Sequence, residues 1–212
     1  IGYYDANTSC DVMIRDGAGA NHEVPIASLG YDLAWWIYNN HSRHGRSVDI
    51  IGHSMGGLVA RMALTGDQDN WPGWPPFVYV EDVATLGTPH GGTFAAALCT
   101  TKQCADMRTD SEFLRRLRQN AQSTSGTDWT LIGSDSDELV STGSATAGTA
   151  GHKLDYDLRS GLNHEGLKAL DLNAINFKLY FWNFYGPGWE RHTTGASPVR
   201  AARNAIYYWH DW

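Results

Sequence analysis

A serine held between two glycines, Gly52-His53-Ser54-Met55-Gly56, constrains this chain more than any other stretch. The run before it, Ser47-Val48-Asp49-Ile50-Ile51, is rich in β-branched residues and reads as a strand. The run after it, residues 57–64, reads as a helix. A chain that turns from strand to helix about a single residue strains that residue and crowds its neighbours. Glycine at positions 52 and 56 relieves the crowding. The turn pushes the Ser54 hydroxyl outward and aims the first-turn N–H groups of the next helix at the space beside it. Such a junction belongs to a parallel sheet covered by helices on both faces.

The rest of the chain fits that architecture. Ile26, Leu29, Leu33, Trp36, Ile37 and Asn40 trace a helix that ends near Gly45. Residues 78–86, 128–132 and 177–185 read as strands, residues 1–4 as the tail of another, and residues 198–212 as a closing helix. Thr109-Asp110-Ser111-Glu112 reads as a capping box opening a helix through Leu114 and Leu117. Residues 141–151 are small and polar and read as a flexible surface loop. The length of 212 residues suits one domain with its own core, so a single α/β domain over 1–212 is expected.

An uncharged serine is a weak nucleophile. It needs a base to take its proton and an acid to orient that base. Acid candidates cluster in Gly133-Ser134-Asp135-Ser136-Asp137-Glu138-Leu139-Val140, a turn just past a strand. Asp137 is the leading acid, with Val140 as an apolar anchor behind it, and Asp135 is the alternative. A calcium loop is the bland reading of this acidic turn, but the glycine and bidentate glutamate of an EF-hand are missing. His152, His164, His192 and His210 follow the acid. His164 leads, because Gly161-Leu162-Asn163-His164 is a loop opening into a helix-like run. His152, His192 and His210 read as surface or packing residues, and His53 as a neighbour of the serine. Ser54 is then the nucleophile, His164 the base, Asp137 its orienting acid, and the Met55 N–H one oxyanion donor.

Composition narrows the partners. A net charge of −7 without a Lys/Arg cluster argues against nucleic acid. No apolar run is long enough to cross a membrane, and residues 1–4 do not resemble a secretory leader. Nine Trp and ten Tyr can serve an apolar cleft as well as the core. Cys99 and Cys104 read as a small disulfide-closed loop, with buried free thiols as the alternative. A disulfide there implies an oxidising, secreted or extracellular setting. Cys10 is left over.

With those residues in hand, the chain resembles the α/β-hydrolase superfamily, and within it the secreted bacterial (actinobacterial) triacylglycerol lipases and esterases. The resemblance rests on Gly52-His53-Ser54-Met55-Gly56-Gly57, Leu86-Gly87-Thr88-Pro89-His90-Gly91-Gly92, Phe113-Leu114-Arg115-Arg116-Leu117, residues 133–140 and Asn163-His164. It implies hydrolysis of acyl esters by a monomer, without cofactor or metal, on a lipid or small ester at a lipid–water interface. It also implies a lid or cap near residues 93–122. A phospholipase or acyltransferase on the same triad, or a catalytically silent lipid-binding relative, are the competing readings. The family's second oxyanion donor sits on a His-Gly loop well before the serine. The one His-Gly pair ahead of Ser54, His44-Gly45, stands only ten residues before it, too close to be that loop. The expectation is therefore that a strand and this loop lie upstream of Ile1, together with a partner for Cys10.

Overall fold

A computed structural model describes residues 1–4, 6, 9–15, 21–173 and 175–207. The chain runs through α1 (Ile26–Asn40), β1 (Val48–His53), α2 (Met55–Gln68), β2 (Val80–Leu86), α3 (Lys102–Met107), α4 (Glu112–Arg116), β3 (Asp128–Ser134), α5 (Thr142–Ala145), β4 (His152–Tyr156), α6 (His164–Ala169), β5 (Phe177–Asn183), β6 (Trp189–Gly195) and α7 (Pro198–Tyr207). One sheet takes these strands in sequence order. Strands β1 to β4 are mutually parallel, and β5 and β6 add antiparallel. This is the mostly parallel sheet the sequence expects.

Alternation along the strands divides the core in two. Val83, Trp129 and Leu131 point to one face and meet Leu29, Leu33 and Ile37 of α1 and the buried stripe of α2. Ala84, Leu86, Ile132 and Leu154 point to the other and meet Leu167 of α6 and Ala201 and Ala202 of α7. A strand's side-chain period of two sends neighbours to opposite faces, so each central strand needs apolar residues at successive positions. Segments 55–68, 102–121 and 142–150 all return over the α1–α2 face. Crossovers of one hand between parallel strands taken in order must do so. Fully burying each Leu or Ile in these layers stabilises the fold by about 1.5–3 kcal/mol.

Several sequence expectations change. Residues 1–4 form no strand; Gly2 makes one isolated parallel bridge to Met13. The stretch 141–151 is not a loose loop: Ser141 caps α5, and Ala145 and Ala150 are buried. Small residues there serve close packing, since a Cβ on Gly133 would stand 3.0 Å from the Ala145 Cβ. The box at 109–112 shifts by two residues, with Ser111 capping α4 through the Leu114 N–H. His152 opens β4, and His192 lies on β6, a strand whose polar sequence hid it. That strand is exposed over most of its length, so no apolar alternation marks it. The closing helix is described to Tyr207, and His210 lies outside the described residues.

Helix α1 shows how a distant side chain completes local structure. Pro25 stands at its N-cap and has no side-chain acceptor to offer. The Asp106 carboxylate of α3 accepts the Ile26 N–H at 2.9 Å instead. Buried Gln103 donates from Nε2 to the carbonyls of Asn21 and Val24. Together they pin α3 to the segment before α1. Cys99 and Cys104 are joined by a disulfide, as their spacing suggests.

Candidate active site

Ser54 is the one residue between β1 and α2, and it sits at φ 53°, ψ −131°. A serine held there costs about 1–3 kcal/mol, so the surroundings must fix it. They do so through its backbone. Its N–H donates to the Leu86 carbonyl at 2.8 Å, and its carbonyl accepts the Thr88 hydroxyl at 2.9 Å. Its own hydroxyl makes no capping bond to α2. The close approach behind the turn falls on Gly52 and Gly57, not on Gly52 and Gly56. A Cβ on Gly57 would lie 2.1 Å from the Thr88 hydroxyl, and one on Gly52 would lie 2.8 Å from Gly57 itself. Gly56 faces open space, because it borders a groove along the edge of β1. Met55 opens α2, so its N–H has no acceptor within that helix.

Asp137 lies in the turn after β3, with its carboxylate closed off from solvent. Its Oδ1 accepts the N–H groups of Leu139 and Val140, each at 2.9 Å. Its Oδ2 lies 2.7 Å from His164 Nδ1. Burial works to raise this carboxyl. The His164 hydrogen bond and charge and the two backbone donors outweigh it and hold the group below the ordinary carboxylate range. An ionised acceptor at Nδ1 places the imidazole proton there and leaves Nε2 as the basic nitrogen.

His164 is the first residue of α6, after the N-cap Asn163. Its N–H donates to the Glu138 carboxylate at 3.2 Å. His53, the residue before Ser54, lies 2.9 Å through Nε2 from the His164 carbonyl, which only a ring N–H can satisfy. The two rings meet with centroids 4.6 Å apart. Burial, with the nearby His164 and Lys168, keeps His53 below the ordinary histidine range and so uncharged at neutral pH. The elbow and the Asp137–His164 pair are thus bonded to each other through His53. No Ser54–His164 hydrogen bond is formed among the described residues.

Asp135, the alternative acid, is exposed and accepts the Thr142 hydroxyl at 3.0 Å. His152 stacks on Phe181, and His192 meets the same ring edge-on. Sequence reasoning missed three contributors: Thr88, Glu138 and Gly87. Gly87 has φ +55°, and a Cβ on it would stand 3.0 Å from Asp137 Oδ2 and 3.2 Å from His164 Nδ1. Thr88 and Gly87 lie in the Leu86–Gly92 motif, so the signal was present without its mechanical meaning.

A cleft of about 470 Å³ reaches Asp137 and is bordered by Gly91, Gly92, Thr109, Leu139 and Ser144. The groove along β1, about 420 Å³, reaches His53. Among the described residues no group of three or more His, Cys, Asp or Glu side chains converges to hold a metal ion. No helix among them is long and apolar enough to cross a membrane.

Comparison with known proteins bears on the family and the fold. Residues 31–167 match the family described as the PGAP1-like alpha/beta domain, a span that contains Ser54, Asp137 and His164. GPI inositol-deacylase A of Yarrowia lipolytica is 27% identical over 92 residues, covering 42% of this chain but only 8% of that protein. The crystal structure of Aspergillus fumigatus lipase B superposes with TM-score 0.51 at 22% identity, over 68% of this chain and 38% of that one. The mature Bacillus licheniformis lipase BlEst2 superposes with TM-score 0.50 at 18% identity, over 64% of this chain and 66% of that one. At such identities the two lipases speak for the fold alone. The chain therefore has the α/β-hydrolase fold and belongs to the family of PGAP1-like alpha/beta domains.

Proposed function

We propose that this chain is a serine hydrolase of carboxylic esters of lipids, working through Ser54, His164 and Asp137. The observation that carries the reading is the 2.7 Å Asp137–His164 contact, bonded through His53 to a serine strained at φ 53°. In this reading Ser54 Oγ attacks the ester carbonyl carbon while His164 Nε2 takes its proton. The carbonyl π pair moves to oxygen, which the Met55 N–H stabilises. Collapse breaks the bond to the leaving alcohol, which takes the proton back from His164. Water then repeats the sequence and frees the acid and the serine. The PGAP1-like family and the deacylase relative support an acyl ester as the substrate class. The disulfide supports an oxidising compartment. Of residues 93–122, Thr93, Phe94 and Thr109 border the cleft and serve as its cap, while Leu114, Leu117 and Ala121 belong to the core.

A silent lipid-binding relative is the second reading, favoured by the missing Ser54–His164 hydrogen bond. Catalytic bonds often close only once substrate arrives, so that gap does not decide. A p-nitrophenyl ester chain-length series does. Turnover by the parent, lost by orders of magnitude in Ser54→Ala and His164→Ala, supports the hydrolase. Equal, background-level rates in all three support the silent relative. Product analysis with added glycerol separates hydrolysis from acyl transfer.

A further inference from the structure

Arg61 lies on α2, about two turns past Ser54, and is only 2% exposed. Burial brings its guanidinium down to about 10, so it is still charged at neutral pH. Among the described residues no carboxylate pairs with it. A cation taken out of water without a counter-charge is costly, and an apolar side chain of similar volume often serves a core as well or better. Three backbone carbonyls answer the charge instead. Nε donates to the Arg118 carbonyl at 2.8 Å, one terminal nitrogen to His90 at 3.1 Å and the other to Leu117 at 3.4 Å. A planar fork of donors reaches several fixed acceptors at once, which a compact ammonium does not.

Those acceptors belong to two segments that meet α2. Leu117 and Arg118 follow α4, and Thr65 holds the same place: its hydroxyl accepts the Arg118 N–H at 3.2 Å and donates to the Arg61 carbonyl at 2.8 Å. His90 belongs to the loop after β2. In that loop Gly87 abuts Asp137 and His164, and Thr88 holds the Ser54 carbonyl. His90 is itself fixed. Its N–H donates to the Thr88 carbonyl at 2.8 Å, its Nε2 lies 3.0 Å from the Thr85 hydroxyl, and its buried ring meets Trp129 edge-on. Burial first, then the Arg61 charge, keeps that ring uncharged. Helix α2 and the loop are therefore joined twice, at Ser54 through the Thr88 hydroxyl and about 10 Å further along the helix through Arg61. A loop tied at one end can pivot, whereas a loop tied at both keeps its place.

We infer that Arg61 is a positioning residue: through the His90 carbonyl it fixes the loop after β2 against α2, and through Thr88 it holds Ser54 in its strained turn. Arg61 itself touches no reacting atom. Its effect on turnover rests on the proposed ester-hydrolase reading, and its hold on the loop does not.

Amide hydrogen exchange, with kinetics on a soluble p-nitrophenyl ester, tests this in Arg61→Met, Arg61→Lys and Thr88→Val. In Arg61→Met the N–H groups of His90 and Ser54 should exchange about tenfold faster, beyond any change at Leu131 and Ile132 of β3, which report the stability of the sheet. The same variant should lower kcat about 10- to 100-fold with KM little changed. Arg61→Lys keeps the charge but reaches fewer carbonyls, and it should fall between the parent and Arg61→Met on both readouts. Arg61→Met combined with Thr88→Val should cost less than the product of the two single losses, because both act on one loop. Exchange at His90 and Ser54 that merely follows β3 overturns the proposal, since Arg61 is then a general brace of the core. So do losses in kcat that multiply independently. Should Arg61→Met fail to fold, Arg61→Lys decides, and parent-like exchange at His90 then overturns it. A parent without turnover refutes the hydrolase reading, while exchange still decides whether Arg61 holds the loop.

Discussion

Asp137 and Asp155 stand on neighbouring stretches of the same sheet, one in the turn after β3 and one within β4, and they ionise in opposite directions. Asp137 is held below the ordinary carboxylate range. Asp155 is pushed up to about 7, first by burial and then by Asp135 and Asp157, against one opposing hydrogen bond from Thr142. Burial acts on both. The difference lies in the donors: two backbone N–H groups and an imidazole converge on Asp137, whereas Asp155 shares a single hydroxyl with Asp135. A carboxylate ready to orient a base is made by the N–H groups around it, not by its depth.

The contrast breaks first on activity. Asp137→Asn should lower kcat on a soluble ester by about 10³–10⁴-fold, because the amide no longer fixes the His164 tautomer. Asp155→Asn should leave kcat near the parent value in the same assay. Gly87→Ala comes next. Its new methyl would press on both Asp137 and His164, and its φ of +55° suits glycine. We expect a loss of about 10- to 100-fold in kcat and of about 1–2 kcal/mol in stability by denaturant melts. His53→Leu, which removes the donor to the His164 carbonyl, should lower kcat about tenfold with KM little changed. His53→Gln, which keeps a donor, should recover most of that loss.

The smallest effect sharpens the other side of the contrast. A carboxyl raised to about 7 in the folded state binds a proton that the unfolded chain has already released. Stability is therefore fullest near and below the unfolded carboxylate range, and it declines as pH rises toward about 7. Asp155→Asn should flatten that decline, so that melting points at pH 5 and pH 8 differ less than in the parent. An unchanged pH slope would place the protonated group elsewhere.

Much of the candidate site was legible because its strongest signal is local. A serine between glycines, a strand before it and a helix after it announce themselves in one window, and Asp137 and His164 follow in the required order. Gly57 could not be told from Gly56 by sequence, because the crowding comes from Thr88, a residue of another strand end. The helical role of Ser141–Ala145 and the strand β6 were hidden for the same reason. Short polar segments take their structure from what they pack against, and residues such as Ala145 only find that partner in three dimensions. His53 shows the limit most clearly: its identity was plain, but its bond to the His164 carbonyl spans 111 positions of chain.

Reaction with a fluorophosphonate, followed by intact-protein mass and peptide mapping, tests the central claim directly. The account predicts a single adduct on Ser54, absent in Ser54→Ala and slowed by orders of magnitude in His164→Ala and Asp137→Asn. No adduct on the parent, or an adduct whose rate ignores His164, would contradict it.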